Sequence, residues 1–195
     1  MTRCLDCGAE RIADQCPYCG LTSAAAELMV RRRLVRRTAF FLVGIIAFVS
    51  AAQVYPPVDI DSILIFGGLV FFCSLALGYW IDYRARHRQE LEVLKRIYFG
   101  MIPVPWILAG VLFLNGKLDH SAPIRIPATV VSKFSTGGLP RSRRLVVASW
   151  RYGRRIERIS VDQNDFDRFQ RGDDILVQIQ KGALSVPWVS GVYRP

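Results

Sequence analysis

Three apolar stretches decide the fold: TAFFLVGIIAFVSAAQVY at residues 38–55, IDSILIFGGLVFFCSLALGYWI at residues 60–81 and YFGMIPVPWILAGVLFL at residues 98–114. Asp61 is the only charged residue in them, and none of them contains histidine. Each stretch is close to the roughly 17 to 25 residues that a helix needs to cross a hydrocarbon layer of about 30 Å. The pattern therefore predicts three transmembrane helices.

The third stretch is the weakest of the three, because it contains two prolines. Pro103 and Pro105 have no backbone N–H, so each removes a hydrogen bond from a helix interior and favours a kink. Neighbouring helices in a membrane can satisfy the freed carbonyl groups, which lets a kinked span persist. Residues 98–114 are thus predicted to form a kinked or broken transmembrane helix, with a re-entrant hairpin as the alternative.

Basic residues flank the apolar stretches on one side only. Residues 22–37 and 83–97 contain five Lys or Arg each, whereas residues 56–61 contain none and have two acids. Cytoplasmic loops of membrane proteins carry the excess of Lys and Arg. The asymmetry predicts a cytoplasmic N-terminus and an extracytoplasmic C-terminus. Residues 22–37 then form a basic juxtamembrane helix, and residues 83–97 form a cytoplasmic linker helix.

Four cysteines near the N-terminus have the spacing of metal ligands. They occur in two copies of Cys-x-x-Cys-Gly and are Cys4, Cys7, Cys16 and Cys19. Two residues between paired cysteines form a tight turn that aims both thiolates at one ion, and the glycine that follows supplies the permissive backbone. Four thiolates leave no place for water or substrate, so residues 1–21 are predicted to form a cytoplasmic ribbon around a structural Zn²⁺ ion.

The same cysteines allow other interpretations: iron in a rubredoxin-like site, two disulfides, or a redox dithiol. A reducing cytoplasm disfavours the disulfides, because it keeps thiols free. The two Cys-x-x-Cys-Gly turns resemble a recurrent bacterial design, the short zinc ribbon placed ahead of transmembrane helices. The resemblance covers residues 4–20. It implies structural metal binding by the four cysteines, in a module that usually serves interaction.

After Leu114 the pattern changes to short apolar runs separated by turn residues, which predicts a small all-β barrel or sandwich over residues 117–195. The expected strands lie at 124–134, 144–150, 156–161, 175–180 and 187–192. Asp162 is expected to cap a short helix between the third and fourth of them. This part loosely resembles small β domains attached to membrane helices in bacteria. The whole chain is therefore predicted to be a multi-part α+β membrane protein.

The predicted β domain is basic, with fourteen Lys and Arg against seven acids from Lys117 onward. Seven arginines concentrate around one presumed hairpin, and they are Arg141, Arg143, Arg144, Arg151, Arg154, Arg155 and Arg158. Such a surface can hold lipid head groups or an acidic envelope polymer through bidentate guanidinium contacts. A merely solvated basic face explains the same composition equally well.

The sequence predicts no catalytic residues. It has no glycine-rich phosphate loop, zincin motif or nucleophile elbow, and the adjacent residues Asp119, His120 and Ser121 cannot adopt the geometry of a triad. These features favour a non-enzymatic membrane adaptor or scaffold with protein partners on both sides of the bilayer and no nucleic-acid partner. Ser74 and Gly78 form a small-xxx-small pair that allows a homo-oligomer. The alternatives are an accessory subunit of a membrane transporter or enzyme complex, and a thiol-based redox or metal sensor.

Overall fold

The chain combines N-terminal helices with a C-terminal antiparallel sheet in a computed structural model that describes residues 2–6, 8–11, 13–84, 97–98, 100–137 and 143–195. Two compact units make up the chain. Unit 1 comprises Met1–Ala47 and Phe66–Ile107, and unit 2 comprises Phe48–Ile65 and Leu108–Pro195. Most of the predicted linker helix at 83–97, together with Cys7 and Arg141, lies outside the described residues.

Two long helices carry the first two apolar stretches. Helix α1 spans Ser23–Val54, so the basic segment and the first apolar stretch form one continuous helix, and helix α2 spans Ile60–Arg84. Both are long and apolar enough to cross a membrane. Large apolar side chains such as Ile46, Leu64 and Phe72 are exposed on them. Exposed apolar surface of this extent is typical of segments that face lipid or a partner.

The third apolar stretch does not form one helix. Helix α3 spans Val104–Lys117, and a turn at residues 102–103 separates it from helical residues at 97–98 and 100–101. The carbonyl of Pro103 accepts the first hydrogen bond of α3, from Ile107 N at 3.0 Å. Pro105 lies in the first turn, where a missing N–H costs nothing. The prolines therefore start a new helix, and α3 alone covers only about 21 Å along its axis at 1.5 Å per residue.

Trp106 holds this third segment against α1 within unit 1. Its indole Nε1 donates a hydrogen bond to Phe40 O at 3.0 Å, and the two rings stack with centroids 4.8 Å apart. Gly44 makes room for the indole, because a Cβ atom built at Gly44 would lie 2.6 Å from Trp106 Nε1.

We expect Gly44→Leu to destabilise the helix packing of unit 1 by about 1–3 kcal/mol, the usual cost of overpacking. The measurement is thermal unfolding of the full chain in detergent. The matched control is Gly68→Leu in α2, because a Cβ atom at Gly68 would meet nothing within 4 Å. Equal unfolding temperatures for the two variants would show that Trp106 does not pack on α1.

The C-terminal sheet contains five antiparallel strands, and their bounds lie within one or two residues of those predicted: β3 Ile124–Ser135, β4 Arg143–Ala148, β5 Ile156–Val161, β6 Asp174–Gln180 and β7 Trp188–Tyr193. Their order in the sheet is β5-β4-β3-β6-β7. The short helix α4 spans Gln163–Arg168, with Asp162 as its N-cap. Two-residue strands β1 (Thr2–Arg3) and β2 (Glu10–Arg11) form a separate sheet near the N-terminus.

Strand β3 belongs to both halves of the sheet. Residues 124–129 pair with β6, whereas residues from Val130 onward pair with β4, and the register shifts between Val130 and Ser132. Such an irregularity bends a strand and increases its twist. The C-terminal part is thus one antiparallel sheet that bends at β3, and no ladder joins β5 to β7 within the described residues.

All five strands contribute to one core. Its fully buried members include Leu145, Val147, Phe169, Ile175 and Val177, and each of these side chains is at most 1% exposed. Along β6 they alternate with more exposed residues, as expected of a sheet with one covered face, whereas β4 buries three residues in succession, Leu145, Val146 and Val147.

The turn between α1 and α2 adds to this sheet. Val58 N donates to Pro187 O, and Val189 N donates to Pro56 O, both at 2.9 Å. The Tyr55 ring packs edge-on against Trp188, with centroids 5.1 Å apart. No local pattern in the sequence predicts this pairing, because the residues that pair are far apart in the chain.

Asn115, near the end of α3, forms hydrogen bonds with the loop between β6 and β7. Its side chain is 1% exposed. Its Nδ2 donates to Val186 O at 2.8 Å, and its Oδ1 accepts from Leu184 N at 2.9 Å. Its backbone carbonyl accepts from Ala183 N at 3.0 Å. The end of α3 is therefore part of unit 2 by hydrogen bonding as well as by chain connection.

We expect Asn115→Ala to destabilise unit 2 by about 2–3 kcal/mol, because the two hydrogen bonds of a buried side chain to backbone groups of the loop are lost. Denaturant unfolding of the full chain in detergent measures this difference. Asn164→Ala, at an exposed position of α4, is the matched control and is expected to change little. If the free energy of unfolding falls no more in Asn115→Ala than in the control, the hydrogen bonds of Asn115 do not stabilise unit 2.

Candidate metal centre

The first cysteine turn is closed by backbone hydrogen bonds. Cys4 N donates to Ala9 O at 2.8 Å, and Gly8 N donates to Cys4 O at 2.9 Å. Gly8 has φ 76°, a conformation that glycine adopts without steric cost. Strands β1 and β2 flank the turn and pair through Thr2↔Arg11 and Arg3↔Glu10. The turn is thus the tip of a small hairpin.

The second cysteine turn repeats the first. Cys16 N donates to Leu21 O at 3.0 Å, Gly20 N donates to Cys16 O at 2.8 Å, and Gly20 has φ 70°. An isolated antiparallel bridge between Gln15 and Thr22 flanks it. The same donors and acceptors recur at the same spacing, as the two copies of Cys-x-x-Cys-Gly predict.

The two turns bring three of the predicted ligands together. The Sγ atoms of Cys4, Cys16 and Cys19 all lie within 4.8 Å of one another, and those of Cys4 and Cys19 are 3.7 Å apart. A tetrahedral ion with metal–sulfur bonds of about 2.3 Å separates its sulfur ligands by about 3.8 Å. Cys4 and Cys16 are at most 2% exposed. This cluster can hold a metal ion; the fourth predicted ligand, Cys7, lies outside the described residues.

The cysteine module is packed on the start of α1. Ala26 is fully buried against Cys4 and Cys16. Asp6 forms an ion pair with Arg33 at 3.2 Å, and the Thr22 hydroxyl accepts from Ala25 N at 3.3 Å. The cysteine module therefore continues directly into the first long helix.

Arg11 links the two cysteine turns. Its side chain is 7% exposed, and its Nη2 donates to Leu21 O at 2.6 Å. No sequence pattern predicts the contact of Arg11 or the ion pair between Asp6 and Arg33. The only local signal at Arg11 is a basic residue between the two cysteine pairs, and that signal does not identify an acceptor.

Arg151 of the basic hairpin is paired with acids. Arg151 Nε donates to Glu157 Oε1 at 2.7 Å, Arg151 Nη2 contacts Glu157 Oε2, and Arg151 Nη1 lies 3.8 Å from Asp59 Oδ1. Glu157 is 4% exposed. Burial alone would raise the pKa of Glu157, but hydrogen bonds from Arg151 and Ser149 outweigh it and lower that pKa. Arg151 is therefore the partner of a buried carboxylate.

Arg154 is also paired. Its Nη2 lies 3.4 Å from Asp59 Oδ1 and 3.1 Å from Asp61 Oδ2. Both acids belong to the segment that joins α1 to α2 or to the first turn of α2. The acids of the predicted outer loop and two arginines of the β domain thus form one charge cluster.

The other arginines have different surroundings. Arg143 Nη2 donates to Gln163 Oε1 at 3.0 Å. Arg144 is half-buried, and Arg155 and Arg158 are exposed. Among the described residues of the predicted anion-binding set, only Arg155 and Arg158 are therefore both exposed and outside the ion pairs of this domain.

Asp119, which sequence analysis excluded from catalysis, has a structural role. Burial alone would raise the pKa of Asp119, but hydrogen bonds from Ser121, Trp188 and Gly182 lower it to about 2. Its Oδ2 accepts from Gly182 N at 2.8 Å and from Trp188 Nε1 at 3.0 Å. The carboxylate joins the residues after α3 to the β6–β7 loop.

No family model, curated protein or solved structure matches this chain.

Proposed function

We propose that this chain is a non-enzymatic adaptor of the bacterial inner membrane, with a cytoplasmic zinc ribbon, three membrane-spanning segments and an extracytoplasmic basic β domain. The observation that carries the proposal is the buried thiol cluster packed on the first turns of α1. A partner that binds the ribbon is thereby attached to a membrane helix.

The thiol cluster supports zinc in a structural role. Sulfur ligands and a sulfur–sulfur distance of 3.7 Å suit tetrahedral Zn²⁺. Cys4 and Cys16 are buried, and the ligand set leaves no room for water once a fourth thiolate binds. Zinc in such a site holds the ribbon folded and takes no part in a reaction.

The backbone hydrogen bonds of the turn between α1 and α2 support the three-span topology. The turn after α1 shares two backbone hydrogen bonds with the region around β7, so both lie on the same side of the bilayer. If α1 and α2 each cross the membrane, α2 returns the chain to the opposite side. Residues 97–117 must then cross again, in two helical pieces, to reach the sheet. The excess of Lys and Arg before α1 makes the side of the ribbon cytoplasmic.

Affinity capture from chemically crosslinked membranes tests the adaptor role. We expect the wild-type chain to capture a cytoplasmic protein. A Cys16→Ser variant, which retains Arg31, Arg32 and Arg33, is expected not to capture that protein. The variant Cys73→Ser, which changes a cysteine outside the ribbon, should capture the same protein as the wild type. A partner retained in the absence of the ribbon fold would contradict the proposal.

Reporter fusions test the topology separately. A periplasm-active reporter after Pro195 should be active, and the same reporter before the ribbon should be inactive. The opposite pattern would place the cysteines outside the cytoplasm and would overturn the assignment of zinc and of the partners.

A further inference from the structure

A polar cavity, here named the seam cavity, lies in the β domain between the edge strands β5 and β7. Its volume is about 450 Å³, and it is lined by the end of β5, the start of α4, β7, Arg143 and the last turn of α1. Small-molecule sites in proteins commonly measure about 300–1,000 Å³. The cavity is large enough for a polar head group.

The cavity carries charges of both signs. Arg143 lies on one wall, and its one recorded side-chain hydrogen bond, to Gln163, leaves other guanidinium donors for a ligand. Asp162 and Asp165 also line the cavity. Asp162 Oδ1 already accepts from Asp165 N at 2.7 Å, so Asp165 is the acid better suited to a ligand. Burial, with a smaller effect from Asp162, raises the pKa of Asp165, and a cation beside it would stabilise its charged form.

The cavity also borders the membrane helix. Gln53 and Val54, the last residues of α1, line it and are exposed. On the proposed topology, the end of α1 lies in the head-group layer of the outer leaflet. A lipid beside α1 therefore has its head group at the level of this cavity.

We infer that the seam cavity binds the head group of an outer-leaflet phospholipid that carries a phosphate and a primary ammonium group. The phosphate faces Arg143, which suits oxyanions through its planar donors. The ammonium faces Asp165 and donates charge-assisted hydrogen bonds to it. A purely anionic head group would meet two carboxylates, and a quaternary ammonium would lack the donors. This inference rests on the proposed function only for the position of the β domain beside the outer leaflet.

Native mass spectrometry of the full chain in mild detergent tests the inference. The protein is mixed with equal amounts of phosphatidylethanolamine and phosphatidylglycerol, and the retained lipids are counted. We expect the wild type to retain phosphatidylethanolamine about tenfold better, the difference made by ~1.4 kcal/mol. Asp165→Asn should abolish the preference, and Arg143→Gln should weaken retention of both lipids.

Matched controls lie outside the cavity. Asp167→Asn, on the same short helix, and Arg171→Gln should retain the wild-type preference. Gln53→Trp, which fills the cavity from α1 without touching a charge, should reduce lipid retention even if the charge variants are poorly folded. Equal retention of the two lipids by the wild type, or an unchanged preference in Asp165→Asn, would overturn the inference. Neither result would bear on the adaptor role, which the capture experiment tests independently.

Discussion

Substitution of Cys16 by serine is expected to unfold the ribbon and to reduce bound zinc from one ion per chain to almost none. The ribbon buries too little apolar surface to fold without the ion, and zinc binding supplies about 10–16 kcal/mol of apparent free energy in comparable peptides. Metal analysis of the purified chain and hydrogen exchange over residues 2–21 measure the two effects. A chelator should produce the same loss of protection in the wild type.

The other cysteines provide the comparison. Cys73 is exposed in α2 and far from the ribbon in sequence, so Cys73→Ser should retain the metal and the protection. Cys7→Ser should behave as Cys16→Ser does if Cys7 is the fourth ligand. Full protection of the ribbon in metal-free protein would contradict the structural role of the ion. Release of zinc by mild peroxide would instead favour the redox or metal sensor.

Replacing Arg151 with methionine is expected to destabilise the β domain by about 3–5 kcal/mol, because the buried carboxylate of Glu157 loses its partner. The same substitution at Arg155 is the matched control, since Arg155 is an exposed arginine of the same hairpin. Denaturant unfolding in detergent, followed by tryptophan fluorescence, measures both. Similar stabilities for the two variants would show that the charge cluster contributes nothing to the fold.

The Arg151 variant also has a predictable pH dependence. In the wild type the pKa of Glu157 is lowered, so its contribution to stability is complete above the unfolded pKa of about 4.3 and is lost as the pH falls through the lower folded pKa. In the variant, the lowering by Arg151 is lost while burial continues to act, so the pKa of Glu157 rises above its wild-type value. The stability difference between wild type and variant should therefore be largest near neutral pH and should shrink on acidification.

Local features of the sequence predicted most elements well. The β strands begin and end within one or two residues of the expected positions, because turn residues and alternating apolar residues act over short distances. Asp162 caps α4 as expected, with its Oδ1 accepting from Asp165 N. The two Cys-x-x-Cys-Gly turns close by identical hydrogen bonds, because the spacing within each turn fixes its backbone.

The sequence alone did not predict contacts between residues that are far apart in the chain. Asp59 and Asp61 were interpreted as acids of an outer loop, yet Arg154, 95 and 93 positions later, pairs with both of them. Of the seven arginines predicted to concentrate around one hairpin, Arg151 and Arg154 pair with these acids and Glu157. A count of charges cannot tell a paired guanidinium from a solvated one, since pairing depends on which strands lie side by side.

By itself, the sequence determined the long apolar helices, the paired cysteine turns and the strand positions. Each of these follows from hydrogen bonds or side-chain periodicity over a few neighbouring residues. Only the tertiary structure decided that the α1–α2 turn joins the sheet at β7, that Arg151 and Arg154 hold its acids, and that a charged cavity lies between β5 and β7. The physical reason is that a folded chain sets such neighbours by packing, which brings together residues that no local pattern connects.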